Sequence, residues 1–274
     1  MPPKPPRLTR PRRWTGLAFA SITLAAAPAL ADLHRSPPVT LANPDTRLWL
    51  AQSQGGEGGE AGVTSNATPE ATVLTKLWIV EGHMLAARDL YALNQKDTAV
   101  ELSRHPGEEG KLEELGRLIG DKQGSDVAAV IALLTDAMSK GAPQGEVDAA
   151  LASVTQVFTG IAAGEPPNTR ARFDAVTLLL KAASEEYQGS IKDGKVEDVM
   201  AWYEARSFVA LARETLQDLA ALPKWAAAAN KALAATHEAA SAFGDPAAAT
   251  PFVGDGQILL GVAARVELIA SSVR

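Results

Sequence analysis

The 274-residue sequence predicts an all-α fold, an antiparallel helical bundle of about seven or eight helices behind a signal peptide and a disordered linker. Three observations carry that expectation. Alanine is abundant, and the 22 glycines and 17 prolines fall in clusters, which leaves long helix-permissive runs between them. Apolar residues recur at steps of three and four, the spacing that lines one face of a helix. No alternating strand pattern of convincing length interrupts them.

The first 31 residues read as an export address. Lys4, Arg7, Arg10, Arg12 and Arg13 come without an acid; Leu17 to Leu30 is a short apolar run; Ala29-Leu30-Ala31 offers a small-residue cleavage site. The run is shorter than the ~20 residues a bilayer span needs. Removal of residues 1–31 takes away five of the 26 bases and none of the 32 acids, so the mature chain would carry a net charge of −11. Residues 32–68 hold Pro37, Pro38 and Pro44 and then a glycine-rich run from Gly55 to Gly62, too glycine-dense to hold one backbone conformation. The bundle domain is expected at 69–274.

Within it, Thr68 caps and Pro69 opens a first helix to about Leu93. A short helix follows Asp97 and is expected to stop at His105-Pro106-Gly107, with another from Glu108 to Ile119 before Gly120. Ser125 or Asp126 is read as the cap of the next, to Lys140. Then come 146–163, 169–190, 196–222, 223–243 and 257–273, separated by Gly164 with Pro166-Pro167, by the Lys192-Asp193-Gly194-Lys195 turn, by Pro223, and by the loop with Pro246 and Pro251. Two stripes follow from the spacing: Phe173, Val176, Thr177, Leu180, Ser184 and Tyr187 on one helix, and Val199, Trp202, Tyr203, Arg206, Val209 and Leu216 on its antiparallel neighbour. The first helix is apolar on most sides, which places it centrally and makes its polar residues informative.

Composition removes several function classes. With no cysteine there is no disulfide framework, zinc–thiolate site, iron–sulfur cluster or thiol nucleophile. The acid surplus gives no basic surface for nucleic acid. No Gly-x-Ser-x-Gly elbow, phosphate loop or dinucleotide fingerprint is present, so the chain is not expected to be an enzyme.

Three constellations remain. Glu81-Gly82-His83 lies on the central helix, with Glu81 and Arg88 on one stripe and His83 pointing almost oppositely; two residues apart, Glu81 and His83 cannot chelate one ion from a regular helix. His105-Pro106-Gly107-Glu108-Glu109 places an imidazole before a helix break and two acids at the start of the next helix, with His105 and Glu108 able to converge over one turn. Glu186, Tyr187 and Glu204 flank the helical hairpin, where acids and a phenolate suit a ferric ion. Were the first helix to pack beside the His105 corner, His83 or Glu81 with His105 and Glu108 would form a two-histidine, carboxylate site for iron or copper. The same residues also fit a hydrogen-bonded core histidine, ordinary helix capping and a solvated acidic hairpin.

The stretch Glu185-Glu186-Tyr187-Gln188-Gly189-Ser190-Ile191-Lys192-Asp193-Gly194-Lys195-Val196, followed by Trp202-Tyr203-Glu204-Ala205-Arg206-Ser207-Phe208-Val209, resembles the extracytoplasmic helical region of bacterial high-affinity iron permeases. Gly82-His83 and His105-Pro106-Gly107-Glu108 are similar to segments of secreted helical relatives. The membrane-embedded glutamate motif of the permeases is absent, so the chain is not the permease itself. The resemblance implies a periplasmic role in iron or copper handling, with an inner-membrane permease or an outer-membrane receptor as partner. The competing expectation is a metal-free periplasmic scaffold whose helices dock a membrane partner.

Overall fold

α1 (Pro69–Ala92) begins where its cap directs. The Thr68 hydroxyl accepts from the Ala71 N–H at 3.2 Å, and Pro69 takes a first-turn position whose N–H would need no partner. The computed structural model describes residues 63–64, 66–164, 169–244 and 256–273. The expected signal peptide, and the linker up to residue 62, lie outside the described residues. After α1 come α2 (Lys96–Glu108), α3 (Lys111–Ile119), α4 (Asp121–Ser139), α5 (Gln144–Gly164) and α6 (Thr169–Ser190). A hairpin of β1 (Ile191–Lys192) and β2 (Lys195–Val196) leads to α7 (Val199–Ala220), α8 (Ala226–Ser241) and α9 (Gly256–Ser271). The described residues thus form nine helices, one for each helical segment marked out along the sequence, although the bundle was expected to have about seven or eight.

The core follows from the stripes. α6 packs on α7, α7 on α8, α8 on α9, and α9 returns to α6, which closes a four-helix bundle. All six stripe residues of α6, from Phe173 to Tyr187, are buried in it. α1 lies on α6 and α7 and also contacts α2, α3 and α5, so it is shared between the bundle and the N-terminal helices. That explains why Leu74, Leu77, Ile79, Val80, Met84, Ala87 and Leu90, which point around most of its circumference, are all buried. One stripe residue is corrected: Arg206 of α7 is exposed, with its guanidinium carbon 5.9 Å from the ring centres of Trp202 and Tyr203. Its stem covers the aromatic face while the charge stays in water.

The breaks differ from expectation where backbone chemistry is permissive. α2 runs through Pro106 instead of stopping before it. In a last turn the ring forfeits a single N–H, and the Glu109 N–H still closes on the His105 carbonyl at 2.9 Å. Glu108 therefore ends α2 rather than opening the next helix, and the following helix starts only at Lys111 after Gly110, whose φ is 73°. α4 begins at Asp121, several residues before Ser125, because Gly120 at φ 88° turns the chain there. The expected turn between α6 and α7 is tight. Asp193 and Gly194 take φ 50° and 74°, the left-handed pair that joins two antiparallel strands, here only two residues each. α7 then starts at Val199, because the Asp198 side chain accepts from the Ala201 N–H at 3.0 Å.

Gly82 controls how closely α7 approaches α1. A Cβ at this position would lie 2.4 Å from two atoms of the Phe208 ring, so any larger residue would push that ring away. Gly82→Ala should lower stability by about 1–3 kcal/mol despite the better helix propensity of alanine, as read by urea unfolding. In combination with Phe208→Leu, the added cost of Gly82→Ala should largely vanish. An additive double mutant would contradict this account of the contact.

Candidate metal centre

Four turns of helix converge on one small volume. His83 from α1 forms its floor, 1% exposed in its side chain, with Glu204 from α7 at 7%. His105 of α2, Glu109 just beyond it and Lys111 at the start of α3 form the rim, at 16%, 15% and 19%. Glu204 Oε1 lies 3.4 Å from His83 Nε2 and 3.9 Å from His105 Nδ1, and Glu109 Oε1 lies 3.9 Å from the same His105 nitrogen. Lys111 Nζ donates to Glu109 Oε2 and sits 3.5 Å from His83 Nε2.

The tautomer of His83 follows from its surroundings. Nδ1 is 2.8 Å from the Ile79 carbonyl, which can only accept, so Nδ1 carries the proton. Burial, and then the Lys111 ammonium, push the His83 pKa down to about 3, so the ring is neutral. Nε2 therefore turns a lone pair toward the cluster. With the ring neutral, its 3.4 Å approach to Glu204 is not an ion pair despite the short distance. The lone pair of Nε2 faces the Glu204 carboxyl and the Lys111 ammonium 3.5 Å away.

The donor set passes a chemical test for a transition metal and its present pose does not. Two imidazoles and two carboxylates suit iron, copper or zinc, and an Nδ1–H held by a backbone carbonyl is the usual support for a ligating Nε2. Separations of 3.4–3.9 Å are near the ~3.4 Å edge of a tetrahedron with bonds of about 2.1 Å. Yet among the described residues no three His, Asp or Glu side chains are already arranged to hold a metal ion. An ammonium stands in that neighbourhood instead.

The residues singled out in the sequence divide as follows. His83, His105 and Glu204 come together, although the sequence placed Glu204 with the hairpin acids. Glu108 is exposed, and Glu109, expected only to open the next helix beside it, takes the place expected of Glu108. The signal for Glu109 was its i,i+4 spacing from His105, hidden by the assumption that Pro106 ends the helix. Lys111 was missed because a cation in the first turn of a helix opposes the macrodipole. Tyr187 is buried away from the imidazoles; its hydroxyl donates to the Ala242 carbonyl and its ring meets Phe243 edge-on at 5.1 Å. Glu186 is half-buried on α6. Glu81 faces Thr155 and Glu214 rather than Arg88, whose Nε lies 3.2 Å from Asp89.

Glu81 and His83 give the protein two opposed pH dependences. Burial, despite a hydrogen bond from Thr155, pushes the Glu81 carboxyl up to about 7. The folded protein thus holds a proton that the unfolded chain releases above pH ~4.5, and stability falls between pH 4.5 and 7 by about 3 kcal/mol. For His83 the unfolded chain takes the proton first, so its contribution is complete above pH ~6.5 and is lost as pH falls toward 3. The two slopes oppose each other between pH 4.5 and 6.5. Glu81→Gln should remove the descending one: urea unfolding should find the variant more stable than the parent by about 2–3 kcal/mol at pH 8, and little changed at pH 4.5. An identical pH profile for the two proteins would show that Glu81 titrates normally.

Comparison with known proteins adds one finding. Residues 162–258 match the family described as the iron permease-associated 4-helix bundle domain. No curated protein and no solved structure matches the chain. The matched span runs from the end of α5 into the start of α9 and covers the closed bundle of α6 to α8 with the first residues of α9. It contains Glu204 but not His83, His105, Glu109 or Lys111. This part of the chain is therefore similar to a helical domain associated with iron permeases, and the imidazoles approach it from helices outside the matched span.

Proposed function

We propose that this protein is a metal-binding accessory to an iron permease, without enzymatic activity of its own, and that its cargo is an iron or copper ion held by His83, His105, Glu109 and Glu204. One observation carries the reading. A neutral, buried imidazole turns its lone pair toward a buried carboxyl oxygen 3.4 Å away, which in turn lies 3.9 Å from the second imidazole, a convergence of donors suited to a transition-metal ion. The second imidazole and second carboxylate on the rim raise the donor count to four, and imidazole favours iron, copper or zinc over magnesium or calcium. The association of residues 162–258 with iron permeases supports iron as the cargo and a membrane permease as the partner. The basic, apolar, small-residue leader supports export to the periplasm. No described helix is long and apolar enough to cross a membrane.

The competing reading, a metal-free periplasmic scaffold docking a membrane partner, draws on a different observation. Leu133 and Leu268 are 57% and 70% exposed, and a partner would cover such side chains. The two readings separate in one titration. Full-length exported protein titrated with Fe(II) under anaerobic conditions, and with Cu(II), should bind close to one ion, with release of heat. His83→Ala and Glu204→Gln should each weaken binding by about tenfold to a hundredfold while the fold, read by circular dichroism, persists. Absence of binding by the parent protein would leave the scaffold reading standing.

A further inference from the structure

We propose that Lys111 is a built-in competitor for the metal: its ammonium occupies the cluster in the metal-free protein and swings out when an ion binds. The proposal rests on the metal-binding reading and adds how that site is kept and what it admits. Lys111 Nζ pairs with Glu109 Oε2 and lies 3.5 Å from His83 Nε2, so a single cation already engages two of the four groups that a metal would use. Its position is locally unfavourable. It is the first residue of α3, where the positive end of the macrodipole repels it, whereas the acids Glu113 and Glu114 of the same turn suit that end. The anionic rim, rather than α3, is what holds the ammonium there. Release needs no backbone change, because the side chain has four rotatable methylenes and reaches the rim, 19% exposed.

This arrangement acts as a filter. Sodium, potassium, magnesium and calcium would draw mainly on the two carboxylates, one of which the ammonium already serves. Iron and copper gain imidazole bonds as well, and so can displace it. The ammonium also holds the apo cluster together, since two carboxylates and a lone pair would otherwise face one another unscreened.

The test uses full-length protein with Lys111→Met and, as a second variant that keeps a polar end group, Lys111→Gln. Both should bind Fe(II) about 10 to 100 times more tightly than the parent by anaerobic calorimetry, the range of one lost charge-assisted hydrogen bond. Both should melt at lower temperature without metal and recover with it. In the parent, saturating Fe(II) should raise the rate at which an amine-reactive ester labels Lys111, measured by mass spectrometry. Unchanged or weaker Fe(II) binding in both variants, or labelling indifferent to Fe(II) in a parent that binds it, would overturn the competitor role and leave the metal site intact. Failure of the parent and of both variants to bind Fe(II) or Cu(II) would overturn the metal reading and this inference together.

Discussion

The seating of Phe208 against the bare backbone of Gly82 is the contact on which the site depends. Helices α1 and α7 can approach this closely because no Cβ intervenes. His83 follows Gly82 in α1, and Glu204 precedes Phe208 by one turn of α7, so the same contact that sets the helix spacing brings imidazole and carboxylate to 3.4 Å. The His83 and Phe208 rings themselves pack at 5.8 Å between centres. A packing constraint in the core therefore determines an electrostatic one, and the backbone carbonyl of Ile79 completes it by fixing which nitrogen faces inward.

The cluster is polar at a depth where polarity is costly, and it is not evenly so. Exposure rises from His83 and Glu204 at the floor to His105, Glu109 and Lys111 at the rim. Opposite charges meet at the rim: the Lys111 ammonium pairs with Glu109 and lies beside the neutral His83 ring. Glu81, on another side of the same helix, shows the other solution to burial, a carboxyl that keeps its proton up to about pH 7. One helix thus carries a base that stays unprotonated and an acid that stays protonated, each through desolvation.

The similarity of residues 162–258 to a permease-associated bundle falls on one part of the architecture. α6 to α9 form the closed bundle, while α1 to α3 lie partly against it and bring both histidines and the lysine. Glu204 is where the two parts meet chemically. The exposed leucines of α4 and α9 lie elsewhere on the surface and do not belong to this cluster.

Much of this was legible along the chain. Thr68-Pro69 fixed the start of α1, Asp193-Gly194 the hairpin, and the three-four spacing the buried face of α6, because caps, left-handed turns and amphipathic stripes are local matters. His83 was also visible as a polar residue where an apolar one was due, His105 as an imidazole at a helix break, and Glu204 as an acid of the hairpin. Their grouping was not. The substitution of Glu109 for Glu108 hung on whether one proline ended a helix, and the inward turn of Lys111 ran against its local preference. Sequence by itself determined an all-helical chain, its main breaks and which side chains were out of place in a core, since those depend on neighbours within about four positions. Only the tertiary structure decided which acid meets which imidazole, because that depends on the rotation and spacing of α7 against α1, set by a glycine and a phenylalanine far apart in the chain.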